Sequence, residues 1–408
     1  MLKKWKNLGI ANQVLICVIL GGIIGAIVGP SLIIFEPIGK MFIKAVQMMV
    51  IIIVGPAMIS GFCSVESPKQ IGKTGTKIIL LFALQYIIAC TIALLLVNIF
   101  KPGVGTAAQI PPGFTYTPNR QSFIEMITNI IPKNPVAAFA EGNLLQIVFV
   151  VVVFASIMSA QAKKYPTLLT FFTEFTDVAM NMLNAIMKFA PYAAGIIMAY
   201  SIGVNGPKII GSLALFVVLI YAGELIIAGT NVLLVGLSGL NMKKYLGIVK
   251  KPAILAFTTS SSLAALPANI QAVEEAGVPK GIGIFGTTLG NVVGMSGTVL
   301  YQVISVVFIA QAYSLNITLS SQIVIALTAA TVCVSLVGVP GAGTATIGIL
   351  LLSAGLPVEG LGLVMAIDRI ADMPRTMNNV FGDTTATIMA AKIDKLLTPD
   401  SPLLKRNK

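Results

Sequence analysis

Apolar runs of membrane-spanning length recur through this 408-residue chain, and they leave it few choices of fold. A helix needs about 20 mostly apolar residues to cross a bilayer. Such runs lie at Gln13–Gly29, Phe42–Phe62, Ile78–Phe100, Leu144–Ala160, Val178–Tyr200 and Ile209–Leu237. Only 10% of the residues are charged and 56% are hydrophobic, whereas a water-soluble domain carries about a quarter charged residues. A chain this poor in charge turns most of its surface to lipid. The expected class is an all-α integral membrane protein, which excludes a soluble enzyme or binding module.

The net charge of +12 does not point to nucleic acid. Basic residues cluster in short loops, at Lys3 and Lys4, at Lys69, Lys73 and Lys77, at Lys163 and Lys164, and at Lys243 and Lys244. Cytoplasmic loops carry such an excess. The loops around Gly29–Glu36 and Ser201–Lys208 are nearly free of it, and Lys101–Asn134 has the Pro, Gly and Thr content of an outside loop. Both termini are therefore expected in the cytoplasm. No small-residue cleavage site follows Met1–Lys6, so the first span reads as a retained anchor. Cys17, Cys63, Cys90 and Cys333 are scattered and the chain has no His, so neither a metal centre nor a covalent cofactor is expected.

After Lys250 the pattern changes. Lys251–Val273 is broken at its centre by Thr258, Thr259, Ser260, Ser261 and Ser262, and Gln322–Ala354 by Gly338, Val339, Pro340, Gly341, Ala342 and Gly343. Each side of a break is about ten to fifteen residues, or about 15–22 Å of helix, too short for an easy crossing. Both segments read as re-entrant helical hairpins, each followed by a full span, Ile282–Ala310 and Val358–Lys392. The sum is eight transmembrane helices plus two hairpins arranged as inverted repeats, a plan secondary transporters use to hold a solute at mid-membrane. Gly290, Gly294 and Gly297 predict an unwound bend within the seventh span.

The last span carries Asp368, Asp372, Arg375, Asn379 and Asp383 on one face, within an arc of about 80° at about 100° per residue. Charges inside a membrane line a pathway or pair with one another. Arg375 offers a fork for a carboxylate, Asp372 an acceptor for an ammonium group, and Asn379 a donor for a second carboxylate. Broken helices add free backbone groups at Ser260–Ser262 and at the second tip. That chemistry suits an amino acid with an acidic side chain. A transporter of a neutral amino acid or another carboxylate, weakly coupled or proton-coupled, is the alternative, with an anion channel as the alternative of a different class.

Thr259–Ser262, Gly338–Gly343, Gly297 and Thr298 with Leu300, Tyr301 and Gln302, and the run from Asp372 to Asp383 resemble motifs of the dicarboxylate/amino acid:cation symporters. The resemblance implies a homotrimer in the lipid bilayer, moving solute by an elevator mechanism with the second hairpin as gate. Residues 1–240 would be mainly scaffold, with the third span joining the moving part. Residues 241–395 would form the transport core, and 396–408 a cytoplasmic tail. It further implies that Arg375 and Thr298 take the solute side-chain carboxylate, and Asp372 and Thr376 its amino group. Asn379 and Ser260, Ser261 and Ser262 would take the main-chain carboxylate, with Val339, Pro340, Gly341 and Gly343 closing over it. Asp383 would bind a sodium ion as co-substrate, with the carbonyls of Gly290, Gly294 and Asn379.

This sequence departs from the family pattern at one ion site. Gly294 and Ser296 stand where the family has Asn and Asp, and Phe82, Gln85 and Tyr86 where its third span has Tyr, Thr and Ser. The expected outcome is reduced or altered sodium coupling. Gln302 occupies the place of a proton-carrying Glu in some members. Glu224, deep in the sixth span, would titrate if buried, but reads first as a carboxylate paired with or facing the hairpin region.

Overall fold

A computed structural model describes residues 10–63, 68–106, 108, 128, 131–141, 144–161, 164–205, 208–334, 342–365 and 367–404. Among them the chain is helical, with no strand beyond an isolated antiparallel bridge between Leu240 and Leu404. Helix α1 (Ile10–Val28) passes through a 3-10 segment (Gly29–Phe35) into α2 (Glu36–Cys63), and α3 (Pro68–Phe100) follows. A short α4 (Pro135–Glu141) precedes α5 (Leu144–Ala160), α6 (Pro166–Met187), α7 (Ala190–Asn205) and α8 (Lys208–Leu237). Then come α9 (Met242–Thr259), α10 (Ser262–Glu275), α11 (Lys280–Val293) and α12 (Ser296–Ala312). The chain ends with α13 (Leu319–Cys333), α14 (Ala342–Ser353), α15 (Leu361–Met365) and α16 (Asp368–Ile393).

Four stretches, Ile16–Phe42, Lys73–Phe100, Ile210–Leu237 and Lys280–Ala312, are long and apolar enough to cross a membrane. The first three keep much of their apolar surface exposed, as lipid-facing helices do, while the fourth is almost wholly enclosed by protein.

Two predicted spans are interrupted. Val178–Tyr200 is not one helix, because α6 ends at Met187 and α7 starts at Ala190. Pro191 in the first turn of α7 explains the break, since proline cannot donate to a preceding turn and restricts the residue before it. Val358–Lys392 is divided too, with α16 beginning afresh at Asp368. An acidic first turn suits a new helix start.

Small residues set the closest approach in the first half. On α1, Gly21 and Gly25 repeat at four-residue spacing, continued by Gly29, and on α7 Gly195, Ala199 and Gly203 do the same. A methyl group on Gly21 would lie 2.1 Å from the Gly195 carbonyl oxygen, and one on Gly25 2.4 Å from that of Ala199. Side chains at these positions would hold the two backbones apart, and membrane helices gain their attraction from such contact.

Helix α16 is the axis of the second half, with α3, α8, α9, α10, α11 and α12 packed around it. Helix α8, although within residues 1–240, packs chiefly against α16, α3 and α12. The segment after α16 is docked rather than loose: Asn241 N–H donates to the Leu403 carbonyl at 2.9 Å, and Thr398 N–H to that of Gly277 at 2.9 Å. Leu403 is buried beside Val235, Leu240 and Tyr245. Asp394 accepts from Thr74 Oγ1 at 2.6 Å and from Lys77 Nζ, joining the ends of α16 and α3.

Candidate functional site

The first hairpin meets the axis helix where the sequence places its breakers, and the second brings Gly343 beside that helix. The first, α9 and α10, turns at Ser260, which takes the left-handed conformation at φ 49° and ψ 39°. Non-glycine residues hold that conformation only where the surroundings impose it. Ser261 caps α10 by accepting from Ala264 N–H at 3.2 Å. The hydroxyls of Ser260 and Ser262 are buried without a partner among the described residues. Arg369 Nη2 donates to the Thr259 carbonyl at 3.2 Å, fastening this tip to the start of α16. Of the second tip, Val339, Pro340 and Gly341 lie outside the described residues, as does Gly338. Gly343 is described: a methyl group there would lie 3.0 Å from Thr298 Cγ2 and 3.1 Å from Arg375 Nη1.

On α16, Arg375 is almost fully buried, and its charge is met by carboxylates on its own helix. Nη2 lies 2.6 Å and Nε 3.0 Å from Asp372 Oδ1, and Nη1 lies 3.4 Å from Asp368 Oδ1. The guanidinium sits over the Tyr301 ring at 4.4 Å, a cation–π contact that also fixes its plane. Tyr301 OH donates to Asp368 Oδ1 at 3.1 Å. Thr376 Oγ1 donates to Asp372 Oδ1 at 2.8 Å, so one carboxylate oxygen carries three donors. The other, Asp372 Oδ2, is buried and has no partner among the described residues.

Asn379 is committed to the neighbouring broken helix. Its Oδ1 accepts from Gly297 N–H at 2.9 Å and Thr298 N–H at 3.3 Å, and its Nδ2 donates to Thr298 Oγ1 at 2.9 Å. The first N–H groups of a helix have no partner within it, and α12 obtains its cap from α16. Arg375, Asp372, Thr376, Asn379, Thr298 and Gly343 therefore gather in one place.

One helical turn on, Asp383 points at the bend between α11 and α12. A methyl group on Gly290 would lie 2.4 Å from Asp383 Oδ1, and one on Gly294 2.0 Å from the same oxygen. Both positions must be glycine for the carboxylate to reach the backbone. Asp383 Oδ1 is buried without a partner among the described residues. A carboxylate against the backbone of a broken helix is an oxygen-only environment of the kind hard cations prefer.

Beside this cradle, the third-span replacements serve the protein itself. Tyr86 OH donates to the Val293 carbonyl and accepts from Met295 N–H at 3.2 Å, bridging the break between α11 and α12. Gln85 Nε2 donates to the Gly382 carbonyl at 3.1 Å and to Asn231 Oδ1 at 3.0 Å. Phe82 is buried, with its ring edge 2.9 Å from where a methyl group on Gly294 would sit.

The sequence has known relatives. The model of the sodium:dicarboxylate symporter family matches residues 10–393. The chain is 33% identical over 403 residues to the proton/sodium-glutamate symport protein of Bacillus caldotenax, covering 95% of each. It is 30% identical over 397 residues to the C4-dicarboxylate transport protein of Laribacter hongkongensis, covering 95% of this chain and 90% of that protein. To the proton/glutamate-aspartate symporter of Escherichia coli it is 31% identical over 369 residues, 88% of this chain and 84% of that one. The chain belongs to the sodium:dicarboxylate symporter family. It is a multi-pass membrane transporter and not an enzyme.

Within this symporter, several side chains that hold the site were not singled out for it from sequence. Tyr301, one turn after Thr298, supports Arg375 from below. Asp368, seen as part of the polar face, shares Arg375 with Asp372. Gln302 donates to the Gly343 carbonyl at 3.3 Å and to Thr346 Oγ1, and accepts from Cys333 Sγ at 3.2 Å, so it braces the second hairpin. Residue type signals neither the Tyr301 nor the Gln302 pairings, which join different helices. Glu224, read as paired or facing the hairpin region, accepts from Asn378 Nδ2 of α16 at 2.7 Å.

Proposed function

We propose that this chain is a secondary symporter for acidic amino acids, with L-aspartate and L-glutamate as its solutes and a cation as co-substrate. The observation that carries the reading is the pair Arg375 and Asp372, buried together, with Asp372 Oδ2 left without a partner. Arg375 offers its charge to a side-chain carboxylate. Asp372, helped by Thr376, offers an acceptor to an ammonium group. A C4 dicarboxylate has no such group, so Asp372 favours an amino acid over the solute named for one relative. Thr298, Asn379 and Ser260–Ser262 would hold the main-chain carboxylate, with Val339, Pro340, Gly341 and Gly343 as the lid.

For the cation, the unpartnered Asp383 oxygen against Gly290 and Gly294 fits sodium, with carbonyl groups of Gly290, Gly294 and Asn379 completing its shell. Where the family has further oxygen donors, Tyr86 already occupies the backbone groups of the break. Coupling to fewer sodium ions follows from that. We further propose a homotrimer of elevator type with both termini cytoplasmic. Its moving unit would comprise α3 and α8–α16, because α3 and α8–α12 pack around α16 and α13 and α14 pack against α12, leaving the other helices of the first half as scaffold.

The test is uptake of labelled L-aspartate and L-glutamate into proteoliposomes under separately imposed sodium and proton gradients, with unlabelled succinate as competitor. Accumulation under a cation gradient, poorly inhibited by succinate, is expected. Strong inhibition by succinate would move the solute to a dicarboxylate. Equilibration under every gradient would make the protein a facilitator.

A further inference from the structure

We propose that Glu224 is a proton-binding site whose occupancy is linked to solute binding at Arg375; the link, though not the proton site, rests on the acidic-solute reading above. Glu224 is the single acidic residue of α8, a mostly apolar 30-residue helix, and it is fully buried. Its Oε2 accepts one hydrogen bond, from Asn378 Nδ2. Its Oε1 has no partner among the described residues, and neither has Asn378 Oδ1. An ionised carboxylate has room for about four donors on its two oxygens, and burying one with a single amide donor is costly. A proton on Oε1 removes the charge and supplies a donor where acceptors are in excess.

The surroundings leave that role to Glu224. From α16 the groups facing it are Asn378 and Arg375, the charged side chain that acts on it. Helix α12 presents the backbone of Gly297. The titratable hydroxyls of the neighbouring helices are engaged elsewhere: Tyr86 of α3 with Val293 and Met295, Tyr245 of α9 with Thr385, and Tyr301 of α12 with Asp368. Tyr221, on α8 itself, donates to the Ile370 carbonyl at 3.1 Å.

The link to the solute runs through Gly297. A methyl group there would lie 2.8 Å from Glu224 Oε2 and 2.6 Å from the Arg375 carbonyl oxygen, while the Gly297 N–H donates to Asn379. Ionised Glu224 offsets part of the positive potential of Arg375. Protonation lifts that offset and strengthens the hold of Arg375 on an anionic solute. By reciprocity, the bound solute raises the proton affinity of Glu224. One proton therefore enters from water onto Oε1 with the solute and returns to water after the solute leaves.

Two measurements on the purified full-length protein test this. Infrared difference titration without solute is expected to show a protonated carboxyl band that titrates in the wild type and is absent from Glu224→Gln. In the second, L-glutamate and L-aspartate affinity is followed against pH. Above the titration point it should weaken by up to about tenfold per pH unit in the wild type, the limit for one linked proton, and this slope should vanish in Glu224→Gln. Asn378→Ala removes the donor to the ionised form, so its titration should move to higher pH. Absence of the band, or its survival in Glu224→Gln, would overturn the proton site. Solute binding without a pH slope, or a slope kept in Glu224→Gln, would overturn the link. A wild type that binds neither amino acid at any pH sinks the solute reading and the link with it, while the infrared result alone still decides the proton site.

Discussion

Arg375 and Asp383 illustrate two ways in which a buried charge is held on one helix. Arg375 is paired in advance with Asp372 and Asp368 and braced by Tyr301, so it meets a solute already oriented. Losing one member of a buried, hydrogen-bonded charge pair costs about 2–5 kcal/mol. Arg375→Ala should therefore weaken acidic-solute binding by at least about thirty-fold, measured by calorimetry on the purified protein. Unchanged affinity would remove Arg375 from the site. Asp383, by contrast, has an oxygen with no partner among the described residues. Asp383→Asn keeps the volume and removes the charge, and is expected to abolish sodium dependence of solute binding while sparing the fold. If sodium still enhances binding in that variant, the cation lies elsewhere.

Broken helices are costly elements unless something takes up their unpaired backbone groups. At the junction of α11 and α12 that partner is Tyr86, and its removal leaves the buried Val293 carbonyl and Met295 N–H only their mutual contact at 3.1 Å, a loss of up to about 1–3 kcal/mol. Tyr86→Phe should lower the apparent melting temperature in detergent without altering the choice of solute; an unchanged melting temperature would show the bridge to be dispensable. The crossing of α1 and α7 works on another principle, contact between bare backbones. Gly25→Val would place a side chain where the Ala199 carbonyl lies, and overpacking of this sort costs about 1–3 kcal/mol or more. Reduced thermal stability is expected, with near-normal solute affinity in the surviving protein because neither helix supplies a residue to the Arg375 site.

At the scale of the molecule, the ends of α3 and α16 are tied by Asp394, Lys77 and Thr74. The hydrogen bond from Lys77, followed by that from Thr74, holds the Asp394 carboxyl below the usual carboxylate range. A group lowered in the folded state stabilises above its unfolded value of about 4 and loses that contribution as pH falls through the lowered value. The gap in melting temperature between wild type and Asp394→Asn should be present at neutral pH and close in acid. A gap that persists in acid would show that the contact acts through packing rather than charge. By itself the sequence determined the membrane class, the break at Ser260, the bend near Gly294 and the polar face of α16. These are written in local periodicity, in runs of breakers and in the cost of placing charge in lipid. Tertiary structure alone decided that α8 packs around α16. It also decided that Tyr86 and Gln85 serve the broken backbone, and that Glu224 finds Asn378. Each of those outcomes depends on which residues from distant helices come within hydrogen-bonding reach, and no pattern along the chain encodes that distance.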